Sequence, residues 1–600
     1  MNRNARRGQA LVMVTLALFA MCGLMGLAVD LGWSYYIRRS AQRAADNAAM
    51  AGALKVLSAV GQTGTFSCGS AIGCQASSAC PATGASPPAS SLDTACLYAQ
   101  QNGFRTSGNS GRQTVSVEAN VTAAGCDTAS PPTCVPTAPG VAAFYYITVR
   151  VVETVPQLFS AVMGNPVATV SARATAAVID SVIITSLILT NRENDASPAT
   201  GQGVNLTAQG GSAIQVPGGI SMASQCNGGN CNGRYAGTLQ GGQTLTSPFT
   251  YIRGVGQACA GNLGCTSQSS WTAPPINGKP DGDMFYDPME KKGQPPLSTQ
   301  AGNQLPFPSS IQGGTANNPT ILPPGNYYMT STDRNGNVIA TGNPVTLGSG
   351  YFQFGSCGSG FPQWTFFGGL RTGSGNSVVT FTPGRYVFAG QNSGDGQPLF
   401  EISNGTTLQD CTSGGGRNTD AGEIFIFTDT NYPGLDLQVA NAGPVAAIRN
   451  NLLFGTAGIK TGNNDNSAIT LHGLNKQSSS VPDELKPYAP VVMWQDKRNS
   501  RVKYNPDGTL DTSCGDRNNP CTNAPADSMS REMFLRATPS VLIYGAAYQP
   551  RGAWLNLVAG GNFTGPLQVI TGALRLQGSP PLSLTGISNP ITVRKTALVE

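Results

Sequence analysis

Arg6 to Leu57 reads RRGQALVMVTLALFAMCGLMGLAVDLGWSYYIRRSAQRAADNAAMAGALKVL, and the fold turns on how that run divides. Gly8 to Val29 is a stretch of 22 residues without a charged side chain. At about 1.5 Å per residue a helix of that length spans about 33 Å, enough for a hydrocarbon core of about 30 Å. It also exceeds the roughly 7–15 apolar residues of a signal-peptide core. The helical pattern continues beyond it. Ile37, Ala41, Ala44, Ala45, Ala48 and Gly52 fall on one face, and Arg39, Gln42, Arg43, Asp46 and Asn47 on the other. That is the periodicity of an amphipathic helix, built on the best helix former. The sequence therefore predicts one continuous helix. It crosses a bilayer through residues 8–29 and runs on as an aqueous stalk until Gly61 and Gly64 stop it. Its alanine face is small enough for a sheet or another helix to approach closely.

The flanks orient this helix. Arg3, Arg6 and Arg7 precede it, whereas Asp30 and Asp46 are mixed with Arg38, Arg39 and Arg43 after it. The positive-inside rule then puts the N-terminus in the cytoplasm and the bulk of the chain in the periplasm or outside the cell. Cysteine usage agrees. Of 15 cysteines, Cys22 lies inside the span and the other fourteen form an even set. Cys126 and Cys134, Cys226 and Cys231, Cys259 and Cys265, and Cys514 and Cys521 are close neighbours and disulfide candidates. Cys68, Cys74, Cys80 and Cys96 cluster just past the stalk. Short-loop pairing of this kind fits an oxidising compartment. A metal reading is poor, because no C-x-x-C occurs and His472 is the single histidine.

The remainder reads as mainly β. Only 11% of residues are charged, against about 25% in an average domain, and 75 glycines with 41 prolines imply many turns. Residues 61–178 form a small α+β domain. Thr114–Val121 alternates as a half-buried strand, Phe144–Val152 is a longer apolar strand, and Val167–Val178 is a third. Between the last two, Leu158, Phe159, Val162 and Met163 fit a short helix ending at Gly164. Residues 179–600 carry short apolar strands at solenoid spacing: Val204, Leu206 and Ala208; Ile214 and Val216; Ile220 and Met222; and near the end Leu555 and Leu557, Leu567 and Val569, Leu574 and Leu576, Leu582 and Leu584, Ile591 and Val593. Pro324-Gly325-Asn326-Tyr327 echoes Pro383-Gly384-Arg385-Tyr386, as stacked coils would. A right-handed parallel β-helix is favoured over a β-sandwich. Stretches near 226–310 and 476–537 read as loop excursions from it, and Asn335-Gly336 as a type I′ hairpin turn.

The ordered run Arg6-Arg7-Gly8-Gln9-Ala10, the apolar span, Asp30, Tyr36 and Ala44-Ala45-Asp46-Asn47-Ala48-Ala49-Met50-Ala51-Gly52-Ala53 resembles the N-terminal segment of TadE/TadG-like Tad (Flp) pilus-assembly proteins. Thr154-Val155-Pro156-Gln157-Leu158-Phe159-Ser160-Ala161-Val162-Met163-Gly164 resembles the same family. The resemblance implies residues 1–60 as cytoplasmic tip, membrane helix and stalk, with a pilin-like sheet packed on the stalk. Long TadG-like proteins also carry β-helical regions with similar turns. Some have a von Willebrand A-type domain with a D-x-S-x-S metal motif, which Asp180-Ser181-Val182 and Asp195-Ala196-Ser197 fail to match.

The search for chemistry is mostly negative. One histidine excludes H-E-x-x-H zinc sites, and neither a G-x-S-x-G elbow nor a Walker A loop occurs. A carbohydrate-active β-helix would need paired carboxylates, for which Asp395, Glu401, Asp410, Asp420, Glu423 and Asp429 are the densest acidic positions. They are spread among turn residues, where aspartate is ordinary solvated-turn chemistry, and His472 reads as a solenoid-surface residue. No catalytic residue, cofactor or metal is expected, and with a formal charge of +5 no nucleic-acid footprint. The expected partners are membrane lipid through residues 8–29 and other pilus-assembly or envelope proteins, with glycan or peptidoglycan as further candidates. The expectation is a non-enzymatic envelope protein in Tad pilus assembly. A membrane-tethered adhesin or glycan binder is the alternative, and a carbohydrate-active enzyme the third. Met13 stands where a pilus subunit would carry its registering glutamate, so cleavage at Gly8 and entry into the filament are not expected.

Overall fold

The computed structural model describes residues 5–121, 143–192, 195, 205–209, 213–224, 226, 236–240, 244–253, 276–279, 287–298, 303–357, 360–373, 375–390, 398–413, 416–417, 421–429, 432–435, 456–461, 467–500, 502, 504–505, 507–511, 532–537, 540–559, 563–577, 582–587 and 590–599. Two compact units result. One is Met1–Ser181 with Val593–Glu600, and the other is Val182–Thr592.

In the first unit the predicted helix is unbroken. α1 (Ala5–Val60) runs for 56 residues and stops where Gly61 adopts a φ of +70°. The alanine face is the buried one: Ala41, Ala44, Ala45, Ala48, Ala49, Ala53 and Val56 are fully covered. They pack on α2 (Ser91–Gln101) and on an antiparallel sheet. That sheet orders as β1 (Gln75–Ala79), β2 (Gln113–Val121), β3 (Ala143–Pro156), β4 (Val167–Val182) and the final strand Thr592–Leu598. Register puts Val117 opposite Val149, and Val149 opposite Ala174, so the inward positions meet the helix as one apolar layer. Small residues are required there. A Cβ on Gly52 would stand 2.7 Å from the Ile147 side chain and 3.0 Å from the Ser91 carbonyl. A capping box between Ser90 and Asp93 starts α2, and the Cys80–Cys96 disulfide fastens that helix to the end of β1.

The final strand belongs to this sheet, which its apolar alternation alone did not reveal. Its Arg594 guanidinium donates to the carbonyls of Gly61 (3.4 Å) and Gly64 (2.7 Å), just past the C-terminal end of α1. The same group lies over the rings of Phe66 and Phe144, 5.0 and 4.8 Å from their centroids. A cation at a helix C-terminus is favoured by the helix dipole, and here the aromatic faces hold it in place.

Parallel sheets make up the second unit. Among its described strand pairings, all are parallel except two hairpins, Gly325–Thr332 with Val338–Ala340 and Thr412–Ser413 with Gly416–Arg417. Short strands recur in three parallel ladders. β5 (Leu187–Leu189), β6 (Leu206–Gln209) and β7 (Ala213–Gln215) are the first member of each. The stacking order is not the chain order. β6 and β7 pair on one side with Gly237–Gln240 and Thr244–Thr246. On the other side β5, β6 and β7 pair with Leu567–Thr571, Ala573–Gln577 and Leu582–Leu584. The last strands of the stack thus lie beside the first. Part of the 226–310 stretch, read from sequence as an excursion, is therefore stacked strand, and so is Val491–Gln495 within 476–537. Those between residues 237 and 253 are only three or four residues long with few apolar positions, which hid them; Val491–Gln495 is apolar almost throughout, but lies in a stretch richer in charge.

Aromatic residues fill the interior in register. Tyr327 pairs with Phe366, Phe366 with Phe388, and Phe388 with Phe427. Their rings follow, at centroid separations of 5.3, 5.5 and 5.1 Å. A second column runs Trp364, Tyr386, Phe425 at 4.9 and 5.2 Å. The two Pro-Gly-x-Tyr turns share one lock: the tyrosine hydroxyl donates to the carbonyl four residues back, Tyr327 to Pro323 (2.6 Å) and Tyr386 to Thr382 (2.7 Å). Glycine is needed because the neighbouring strand passes close by; a Cβ on Gly384 would meet the Pro362 carbonyl at 2.8 Å. The two turns are offset by two residues in register, since Gly325 and Tyr386 both pair with Trp364. The Asn335-Gly336 hairpin exists, but its loop has five residues and only Gly336 has a positive φ, so it is not a type I′ turn. Asp333 organises it instead, accepting from the backbone N–H groups of Asn335 and Asn337, both at 2.8 Å.

Candidate functional site

Two places in the molecule concentrate polar chemistry. The first lies along α1, where the uncharged run ends. Asp30 is only 3% exposed. One carboxylate oxygen accepts from the Leu158 N–H at 3.0 Å, and the other from the N–H groups of Phe159 (2.9 Å) and Ser160 (2.7 Å). These donors belong to the tip of the β3–β4 hairpin, which closes at the Pro156–Val167 pair. The tip then makes a single 3-10 turn, Ser160–Met163, ending on Gly164 at a φ of +94°. A carboxylate at the start of a helical turn is favoured by its unpaired N–H groups. One turn earlier on α1, Gly26 makes room for the Phe159 ring, whose Cγ would lie 2.3 Å from a Cβ there. One turn later, Ser34 Oγ accepts from Gln157 Nε2 at 3.0 Å. Gly26, Asp30 and Ser34 are four residues apart, so a single helix face holds the hairpin tip. Both halves of this clasp stood in the sequence, but nothing in their spacing joined residue 30 to residue 158.

The second place is in the parallel sheets. Of the six acidic candidates, Asp395 and Asp420 lie outside the described residues. Glu401 pairs with Arg371, and Asp429 with Arg498, which also holds Asp496. Asp410 and Glu423 come together with His472. The Asp410 carboxylate contacts His472 Nδ1, and Glu423 Oε1 accepts from the His472 backbone N–H at 3.0 Å. The imidazole stacks on Tyr544 at 4.3 Å between centroids, with the ring planes nearly parallel. His472 is thus enclosed by partners rather than a free surface residue. Burial holds the Glu423 carboxyl well above its ordinary range; the charge of Asp410 and a hydrogen bond to it push the same way. Such a set can share a proton internally, but its groups are turned toward one another. Among the described residues no group of His, Cys, Asp and Glu side chains is arranged to hold a metal ion.

Other charges in this unit are structural. Asp195 takes a two-point ion pair from Arg551, 2.6 and 2.9 Å, across 356 residues of chain. Lys497 donates to the carbonyls of Met289 (2.6 Å) and Glu290 (2.9 Å), and burial lowers it to about 8. Burial raises Asp287, which accepts from the Tyr548 hydroxyl at 2.8 Å, to about 6. Of the predicted disulfide residues, Cys126, Cys134, Cys231, Cys259, Cys265, Cys514 and Cys521 lie outside the described residues, and Cys226 is disulfide-bonded. The cluster past the stalk pairs as Cys68–Cys74 and Cys80–Cys96. Cys357–Cys411, 54 residues apart, was not anticipated; the parallel pairing of neighbouring strands brings it together, and close spacing could not have found it.

These features define a chain with one helix, among the described residues, long and apolar enough to cross a membrane, continuous with a stalk that carries a small antiparallel sheet. Residues 8–55 match the family model Tad, described as "Putative Flp pilus-assembly TadE/G-like". This N-terminal segment is therefore TadE/G-like. No curated protein matches the chain. Among solved structures, the competence-associated pilin ComZ from Thermus thermophilus aligns at 9% identity over 82% of this chain and 86% of its own. Its TM-score of 0.16 is too low to support any statement about fold.

Proposed function

We propose that this protein is a single-pass envelope protein with a structural or assembly role in a Tad-type pilus. In this reading the N-terminus is cytoplasmic and both units lie outside the cytoplasm. The parallel sheets close as a right-handed β-helix, and the chain carries out no catalysis. One observation carries the reading: the membrane-length run and the alanine face buried on the sheet form one unbroken helix, within the TadE/G-like segment. Such a helix couples a bilayer anchor directly to a folded unit. The disulfides favour an oxidising space. An adhesin or glycan binder would display aromatic rings along a solenoid face, whereas the ring columns described above are buried.

The test is deletion of the gene in its native host. Loss of surface pili, with the protein recovered uncut at Gly8–Gln9 in membranes and missing from sheared filaments, is the expected result. Normal piliation would overturn the assembly role, and a chain beginning at Gln9 within sheared pili would make it a filament subunit. Alkaline-phosphatase fusions after Gly61 should be active; inactivity would reverse the orientation.

A further inference from the structure

We propose that the tip of the β3–β4 hairpin is a second membrane contact, with Leu158, Phe159 and Val162 entering the lipid leaflet beside α1. This rests on the reading of α1 as a membrane span and adds to it a fixed depth and a second point of attachment.

Depth comes from the clasp. Phe159 sits on Gly26, four residues before Asp30, which is about 6 Å further along the helix toward its N-terminus. That level is inside the uncharged run of Gly8–Val29. Whatever surrounds α1 at Gly26 must also surround the hairpin tip. The tip is built for an apolar solvent. Leu158 is 73% and Val162 87% exposed, and nothing in their own unit covers them. From Thr154 to Ala172 the chain has no charged side chain, although an exposed hairpin end in water ordinarily carries polar groups. Interface markers stand on the other side of Asp30. Trp33, Tyr35 and Tyr36 are exposed, Trp33 stacks on Tyr36, and the Arg39 guanidinium lies 5.7 Å from the Tyr35 centroid. Aromatic rings and cations in this order mark the headgroup level of a bilayer.

Asp30 solves the problem such a tip would create. Backbone N–H groups at the edge of a hydrocarbon layer need internal partners, because no water is there to accept from them. The three N–H groups that open the 3-10 turn all find the Asp30 carboxylate. The same three donors solvate a charge that would otherwise be costly at that depth. Asp30 is therefore a positioning residue, and the apolar side chains make the contact with lipid. Held at α1 and at the tip, the sheet of this unit cannot swing about the helix axis relative to the bilayer.

Nitroxide depth measurement tests this on the full-length oxidised protein in vesicles of phosphatidylethanolamine and phosphatidylglycerol. In a Cys22→Ser background, the label is placed at Val162→Cys. Leu24→Cys serves as the reference within the span and Val338→Cys as an exposed site in the other unit. All these positions are exposed, so the fold is not at stake. The label at 162 is expected to collide with oxygen and lose most of its collisions with a water-soluble nickel chelate, as at 24 and opposite to 338. Nickel access at 162 equal to that at 338, with 24 still lipid-like, would overturn the proposal and leave the anchor standing. Shielding of 162 from both reagents would also overturn it, since a protein surface would then cover the tip. Nickel access at 24 would remove the membrane reading itself.

Discussion

The two units bury comparable kinds of surface by opposite means. In the first, a long helix of minimal side chains lies against a sheet whose strands β1 to β4 are neighbours in sequence, with only the final strand Thr592–Leu598 added from far along the chain. In the second, large rings stack along columns that no local segment contains, and the first strands are completed by the last. Close approach organises one and non-local register the other. It follows that the first unit should fail locally when its spacing is disturbed, and the second cooperatively when its closing pair is broken.

The closing pair should give the largest effect. Val569 is fully buried between Ala547 and Leu187. Val569→Asp places an unpaired carboxylate where first and last strands meet, a change expected to cost more than about 4 kcal/mol. Limited proteolysis with peptide mapping should show the second unit cleaved throughout, while α1, α2 and β1–β4 stay resistant. Equal loss in both units would break the comparison.

Asp30 gives the next effect. Asp30→Asn keeps the shape but leaves one acceptor oxygen and adds a donor facing three N–H groups, at a cost of about 1.5–3 kcal/mol. Hydrogen exchange of residues 157–162 should accelerate about tenfold or more, with the second unit unchanged. Gly52→Val addresses the close approach directly. Its Cβ would collide with Ile147 and Ser91, and overpacking of this kind costs about 1–3 kcal/mol. Exchange should rise in β3 and α2 only. A variant as protected as the wild type would mean the helix can move off the sheet freely.

This contrast also explains what was legible beforehand. The alanine face, the existence of β2, β3 and β4 and the Gly61 stop are local periodicities and appear where the sequence put them, although β3 and β4 each run four residues past the predicted ends at Val152 and Val178. The cysteine cluster past the stalk is local too, although its pairing as Cys68–Cys74 and Cys80–Cys96 was not legible. By contrast, the meeting of Asp30 with residues 158–160, of Cys357 with Cys411, of Asp195 with Arg551, and of β5 with Leu567–Thr571 depends on chain segments far apart. Hydrophobic alternation identifies a strand but carries no label for its neighbour. The strands between residues 237 and 253, three or four residues long, are likewise too short to show a pattern, and the stretch around them reads as a loop excursion.

The smallest effect concerns whether the polar set Asp410, Glu423 and His472 is a stabilising lock of the parallel sheets, and pH distinguishes the possibilities. Glu423 is held above its ordinary range by burial first and by Asp410 second, so the native state binds its proton more tightly than the unfolded chain does. Stability from this group is therefore fully present near and below pH 4.5 and declines as pH rises toward the native value. Glu423→Gln cannot ionise, yet its amide can donate to Asp410 and its carbonyl can accept from the His472 N–H as the protonated acid does. The variant should melt with the wild type near pH 4.5 and above it at pH 8. About 1 kcal/mol in favour of glutamine would separate the melting temperatures of the second unit by about 1 °C. The first unit's melting should show no such divergence. If glutamine lowers the melting temperature equally at both pH values, the carboxylate form is the one the sheet needs, and the proton-sharing account of this cluster fails.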